Sequence, residues 1–141
     1  MRSRGTLLLI LLGIAGGGFS EESFQTDLNY AQVVYVRATE GTDGLWRFDT
    51  TVRHADGGWR HYADLWQVLD AQSGEVIAER VLLHPHDQEQ PFKRSLGGIR
   101  IPEGVSRVRI RAKCNVHGFG GRELVIELKP GRGESFEVIR R

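Results

Sequence analysis

Arg107-Val108-Arg109-Ile110-Arg111-Ala112-Lys113-Cys114 alternates charged and uncharged residues without a break for eight positions. A period of two places every second side chain on the same face of an extended chain, so this segment reads as a β-strand with a solvated basic face and an apolar face that includes Cys114. A phosphate-binding stripe is the alternative reading of these four cations, and the strict alternation favours the strand. The same short period recurs on both sides of the segment. Further strands are expected at Gln32 to Thr39, Leu45 to Arg53, Tyr62 to Leu69, Val76 to Leu83, Glu123 to Lys129 and Ser135 to Ile139. No stretch of the remaining chain sustains helical spacing. The separators carry turn chemistry, notably Gly41-Thr42-Asp43-Gly44, Asp56-Gly57-Gly58, Ser73-Gly74, Gly97-Gly98, Pro102-Glu103-Gly104, Gly118 to Gly121 and Pro130-Gly131. The expected fold is all-β, an immunoglobulin-like antiparallel β-sandwich of about seven strands.

The amino terminus follows a different grammar. Arg2 and Arg4 precede an apolar run from Thr6 to Ile14, and small residues follow from Ala15 to Gly18. This is the pattern of a cleavable export signal over residues 1–20, with a core too short to span about 30 Å of hydrocarbon. Residues 21–31 read as a flexible leader and 32–141 as a single β-sandwich domain. The expected location is periplasmic or secreted, with no stable membrane insertion after cleavage. No cysteine lies near the junction, which argues against a lipid-modified terminus.

Two of the 19 basic residues fall in that signal, and 18 acidic residues oppose the rest, so the exported portion is close to neutral. A nucleic-acid binder is not expected from this balance. Cys114 is the single cysteine, so no internal disulfide can form. An unpaired thiol in an exported protein is a buried small hydrophobe, a redox nucleophile, an intermolecular partner or a metal ligand.

All five histidines lie in three short stretches at strand ends or in loops. His54 and His61 bracket the loop after the Leu45 strand. His84 and His86 follow the Val76 strand, and His117 closes Cys114-Asn115-Val116-His117-Gly118. A Cys-x-x-His turn leaving a strand can aim a thiolate and an imidazole at one divalent ion. Histidines at the two ends of a loop can converge from opposite sides. The candidate metal ligands are therefore His54, His61, Cys114, His117, His84 and His86, holding one transition-metal ion: iron, copper or zinc. Asp87 and Glu89 are candidates for further oxygen ligands or for orienting the imidazoles. Ser95 lacks the context of a catalytic nucleophile, and no organic cofactor is implied.

The stretch His61-Tyr62-Ala63-Asp64-Leu65-Trp66-Gln67-Val68, preceded by His54, resembles the superoxide reductase and desulfoferrodoxin family, as does Cys114-Asn115-Val116-His117-Gly118. The resemblance covers roughly residues 45–121. It implies an immunoglobulin-like sandwich around a non-haem iron, with His54, His61 and His117 as imidazole ligands and Cys114 as the axial thiolate. The family's remaining histidine ligand, and the lysine beside it that attracts superoxide, have no counterpart upstream of Arg53. Three function classes follow: a superoxide reductase-like enzyme, a non-catalytic metal module served by a redox or metal-delivery partner protein, and a metal-free interaction sandwich.

Overall fold

The structure, a computed structural model, describes residues 27–141. The export signal read at residues 1–20 lies outside the described residues. Ten strands follow one another: β1 Gln32–Glu40, β2 Trp46–Arg53, β3 Ala63–Asp70, β4 Val76–Val81, β5 Phe92–Ile99, β6 Arg107–Cys114, β7 Gly118–Phe119, β8 Leu124–Glu127, β9 Gly131–Arg132 and β10 Phe136–Arg140. They form an all-β sandwich. One sheet has the order β5-β2-β1-β10-β9; in the other, β4-β3-β6 is continued by β7 and β8, which pair with different parts of β6. Every pairing is antiparallel except β1 with β10, which is parallel.

The alternation in β6 is realised: Val108, Ile110, Ala112 and Cys114 are buried, and the intervening cations face outward. Those cations are partnered. Arg109 meets Glu123 at 3.3 Å, Lys113 meets Asp64 at 2.8 Å, and Arg111 bonds Gln67 and lies 3.9 Å over the Phe119 ring. Within each sheet, buried cross-strand neighbours pair large with small. Trp66 stands opposite Ala112 and Phe48 opposite Ala38, so each ring has room beside a methyl group, and all four are buried. Complete burial of Phe48 contributes about 1.5–3 kcal/mol.

Four register shifts interrupt the sheets, one of them between β3 and β4 at Val68 and Leu69. The pairing of β1 with β2 shifts between Val33 and Tyr35, and that of β3 with β6 between Ala63 and Leu65. Each inserts one residue, so residues three apart, Val33 and Val36 or Ala63 and Trp66, both face the core. The fourth lies in a strand that sequence periodicity did not reveal. The expected turn at Gly97-Gly98 is instead a bulge inside β5, where Trp46 pairs with Ile99 and Phe48 with Leu96. Gly98 adopts φ 67° there, a conformation that side chains disfavour. The two glycines interrupt an alternating pattern without ending the strand.

The described end of the leader, residues 27–31, is tied to the sandwich. Residues 27–31 form a turn held by Tyr30 N–H to the Asp27 carbonyl at 3.0 Å, and the Leu28 carbonyl accepts Ala55 N–H at 2.9 Å. The segment is pinned from its other side by residues 120–122. Val33 N–H reaches the Arg122 carbonyl, and Arg122 N–H reaches Gln32 Oε1 at 2.7 Å. A Cβ on Gly121 would stand 1.9 Å from the Ala31 carbonyl oxygen, so only glycine permits this crossing. The Gly118 to Gly121 stretch, expected as a flexible turn, therefore forms β7 and a tight backbone crossing.

Candidate metal centre

Pairing of Ala63 with Cys114 brings the start of β3 and the end of β6 together at one end of the sandwich. Asn115 secures the adjoining loop: its Oδ1 accepts Tyr62 N–H at 3.0 Å and its Nδ2 donates to the Trp59 carbonyl at 3.1 Å. This fixes His61 beside Cys114. At the same end, Gln32 of β1 pairs with Arg53 of β2, which sets residues 29–31 alongside His54.

The result is a convergence of three potential ligand atoms. One atom each from His54, His61 and Cys114 lie within 4.8 Å of one another. His54 and Cys114 are buried and His61 is half-buried. The His54 and His61 rings meet edge to face with centres 4.7 Å apart. With metal–nitrogen bonds of about 2.0–2.1 Å, two imidazoles set roughly at right angles on one ion have centres about 4.5–5 Å apart.

At the centre of this group stands a backbone oxygen that sequence reading missed. The Asn29 carbonyl is 3.1 Å from His54 Nε2, 3.3 Å from His61 Nε2 and 3.4 Å from Cys114 Sγ. Nothing in the residue type of Asn29 marks it, because a main-chain carbonyl belongs to every residue. On the far side of His54, Asp56 Oδ1 lies 2.5 Å from Nδ1. Both nitrogens of His54 thus face acceptors. A neutral imidazole has one N–H and can satisfy only one of them, leaving the other nitrogen to a second proton or a metal cation. The Nδ1 contact to a carboxylate is the arrangement that orients a metal-binding imidazole through Nε2. Cys114 Sγ accepts the His117 backbone N–H at 3.1 Å and donates to the Asn29 carbonyl at 3.4 Å. Two imidazoles, a cysteine sulfur and a carbonyl oxygen form a donor set that fits a transition-metal ion of borderline softness.

The Asp56 carboxylate is fully buried. Burial pushes its carboxyl upward, but hydrogen bonds from His54 and from the backbone N–H groups of Ala63 and His86 outweigh this and hold it below the ordinary carboxylate range.

The other predicted ligands lie elsewhere. His117 is exposed, with its ring centre 5.0 Å from His61 and 5.4 Å from Tyr30, one ring further out than the convergent group. His84 and His86 sit in the loop between β4 and β5. Asp56 separates them from the centre, accepting His86 N–H at 2.7 Å on the oxygen that His54 does not use. They therefore do not approach the Nε2 face of His54. Burial, followed by the charges of Arg94 and His84, lowers the pKa of His86. Asp87 and Glu89 do not orient the imidazoles: Asp87 accepts Gly58 N–H, and Glu89 pairs with Arg94 at 3.2 Å. The orienting carboxylate is Asp56, and its place two residues after a histidine was the available signal. Trp46 and Trp66 are core residues, whereas Trp59 is 65% exposed beside the centre.

The chain is similar to a protein of Halomicrobium mukohataei named "Putative lipoprotein", with 36% identity over 110 residues. The match covers 78% of this chain and 53% of that protein, so the chain spans about half the relative's length. No protein-family model matches the chain. No solved structure matches it significantly. Among the described residues, no helix is long and apolar enough to cross a membrane.

Proposed function

We propose that this chain is an exported β-sandwich protein that holds one transition-metal ion, iron, copper or zinc, through His54, His61 and Cys114. The observation that carries the reading is the convergence of those three ligand atoms within 4.8 Å on the Asn29 carbonyl, backed by Asp56 behind His54. Export is supported by the amino-terminal pattern and by the name of the Halomicrobium relative. The lipid in that name does not transfer to Cys114, which is buried.

Holding or delivering metal to a partner protein suits these residues better than turnover does. The superoxide reductase resemblance supports an iron ion held in part by Cys114, which would bring one-electron redox chemistry to the centre. Yet the superoxide-attracting lysine is unmatched, and Asn29 contributes a backbone oxygen among the candidate ligands. His61 and the exposed His117 form the open side, through which an ion would enter or leave.

The test is metal content by elemental analysis of protein purified without oxygen or chelators, for wild type and for His54→Ala and Cys114→Ala. One tightly bound ion per chain in wild type, absent from both variants, is expected. Wild type purified without metal, and with no Fe2+, Cu+ or Zn2+ uptake that Cys114→Ala abolishes, refutes the reading and leaves an interaction sandwich.

A further inference from the structure

His84 and His86 have chemistry of their own. The His86 ring is buried and stacked on Phe92, with centres 4.0 Å apart and planes 7° apart. Neither of its ring nitrogens has a hydrogen-bond partner among the described residues, although both are shielded from solvent. A buried polar group left unpaired is costly, so an imidazole in this state calls for a partner. The nearest ring is His84, whose centre is 4.5 Å away. The two ring planes are tilted by 39°, and two imidazoles whose bonds to one ion meet at about a right angle have centres about this far apart when metal–nitrogen bonds are about 2.0–2.1 Å. His84 Nδ1 is already engaged with the Pro85 carbonyl at 2.9 Å, which fixes the proton there and leaves the Nε2 lone pair free. Asp56 Oδ2 lies 3.9 Å from His86 Nδ1, beside the pair.

We propose that His84 and His86 form a second, separate binding site for a divalent transition-metal ion, with Asp56 Oδ2 beside it. The class of ion follows from the donors: neutral imidazole suits zinc, copper(II) or nickel, whereas oxygen-seeking magnesium and calcium are disfavoured. Only two imidazoles and one carboxylate are offered, and one histidine is exposed, so this site binds more weakly than the thiolate centre. It does not depend on that centre, since Asp56 divides them and they share no imidazole. The two carboxylate oxygens face different histidines.

Zn2+ titration of the full metal-stripped chain by calorimetry tests the inference. The variants are His84→Ala, which alters an exposed side chain, and Cys114→Ala. Wild type is expected to show two binding events. His84→Ala should lose the weaker one, by about tenfold or more in affinity, and keep the tighter. Cys114→Ala should do the reverse, so failure of the thiolate centre and failure of this site give different records. Nitrogen-15 shifts of both the His84 and His86 rings should move during the weaker event. Wild type and His84→Ala with the same titration curve, or an event that moves only the His84 ring, would overturn the second site.

Discussion

Replacement of Asp56 by asparagine tests the logic of the candidate centre without requiring any metal. The carboxylate is fully buried, and three donors reach it: His54 Nδ1 at 2.5 Å and Ala63 N–H at 3.0 Å on one oxygen, His86 N–H at 2.7 Å on the other. Asparagine keeps the shape but has one acceptor oxygen. If that oxygen serves His54 and Ala63, the amide NH2 faces the His86 N–H, and one buried backbone donor is left unsatisfied at about 1–3 kcal/mol. The lost charge assistance at the remaining bonds raises the total to about 2–4 kcal/mol. A domain of this size loses about 4 °C in Tm per kcal/mol, so Asp56→Asn should melt about 8–16 °C lower. Urea unfolding of metal-stripped protein gives the free energy directly, and a dye-competition assay should then show metal affinity about 10–100-fold weaker. The wild-type contribution also has a defined pH dependence. Because the folded carboxyl titrates below its unfolded counterpart, the stabilisation is complete above the ordinary carboxylate range and is lost as pH falls through the folded value. Asp56→Asn within 0.5 kcal/mol of wild type at neutral pH would refute the argument that this carboxylate organises the two loops.

Other expectations follow from single features. Gly121→Ala drives a methyl group into the Ala31 carbonyl and should cost about 3 kcal/mol or more, whereas Gly97→Ala, which meets nothing within 4 Å, should be nearly silent in the same denaturation assay. Thr50 is buried with its hydroxyl unpartnered among the described residues, so Thr50→Val should stabilise by about 1 kcal/mol, read as a rise in the urea midpoint. At Asp49, burial raises the carboxyl pKa, but the hydrogen bonds from Ser95 and Arg47 and the charge of Lys93 bring it below the usual range. Stability from this group is present above that range and lost as pH falls through the folded value. Asp49→Asn should therefore flatten the acid limb of the stability curve, and an unchanged limb would assign the acid sensitivity elsewhere.

The β character of the chain was legible because burial on one face of a strand leaves a period of two in the sequence. In β6 that period is unbroken, and the burial of Cys114 could be read from the parity of Val108 and Ile110. The proximity of His54, His61 and Cys114 was suggested by residue types at strand ends, because strand ends at one edge of a sandwich cluster in space. β5 escaped notice because its Gly97-Gly98 bulge breaks the alternation that identifies strands. Only the tertiary structure decided which histidines meet. A loop's direction depends on long-range bonds such as Asn115 to Trp59, and on the crossing of Gly121 over Ala31, neither of which leaves a periodic trace. The same holds for the Asn29 carbonyl. Composition and spacing select side chains that can bind, whereas a main-chain oxygen acquires its role only from where the fold brings it, here among two imidazoles and a thiol supplied by residues 25 to 85 positions away.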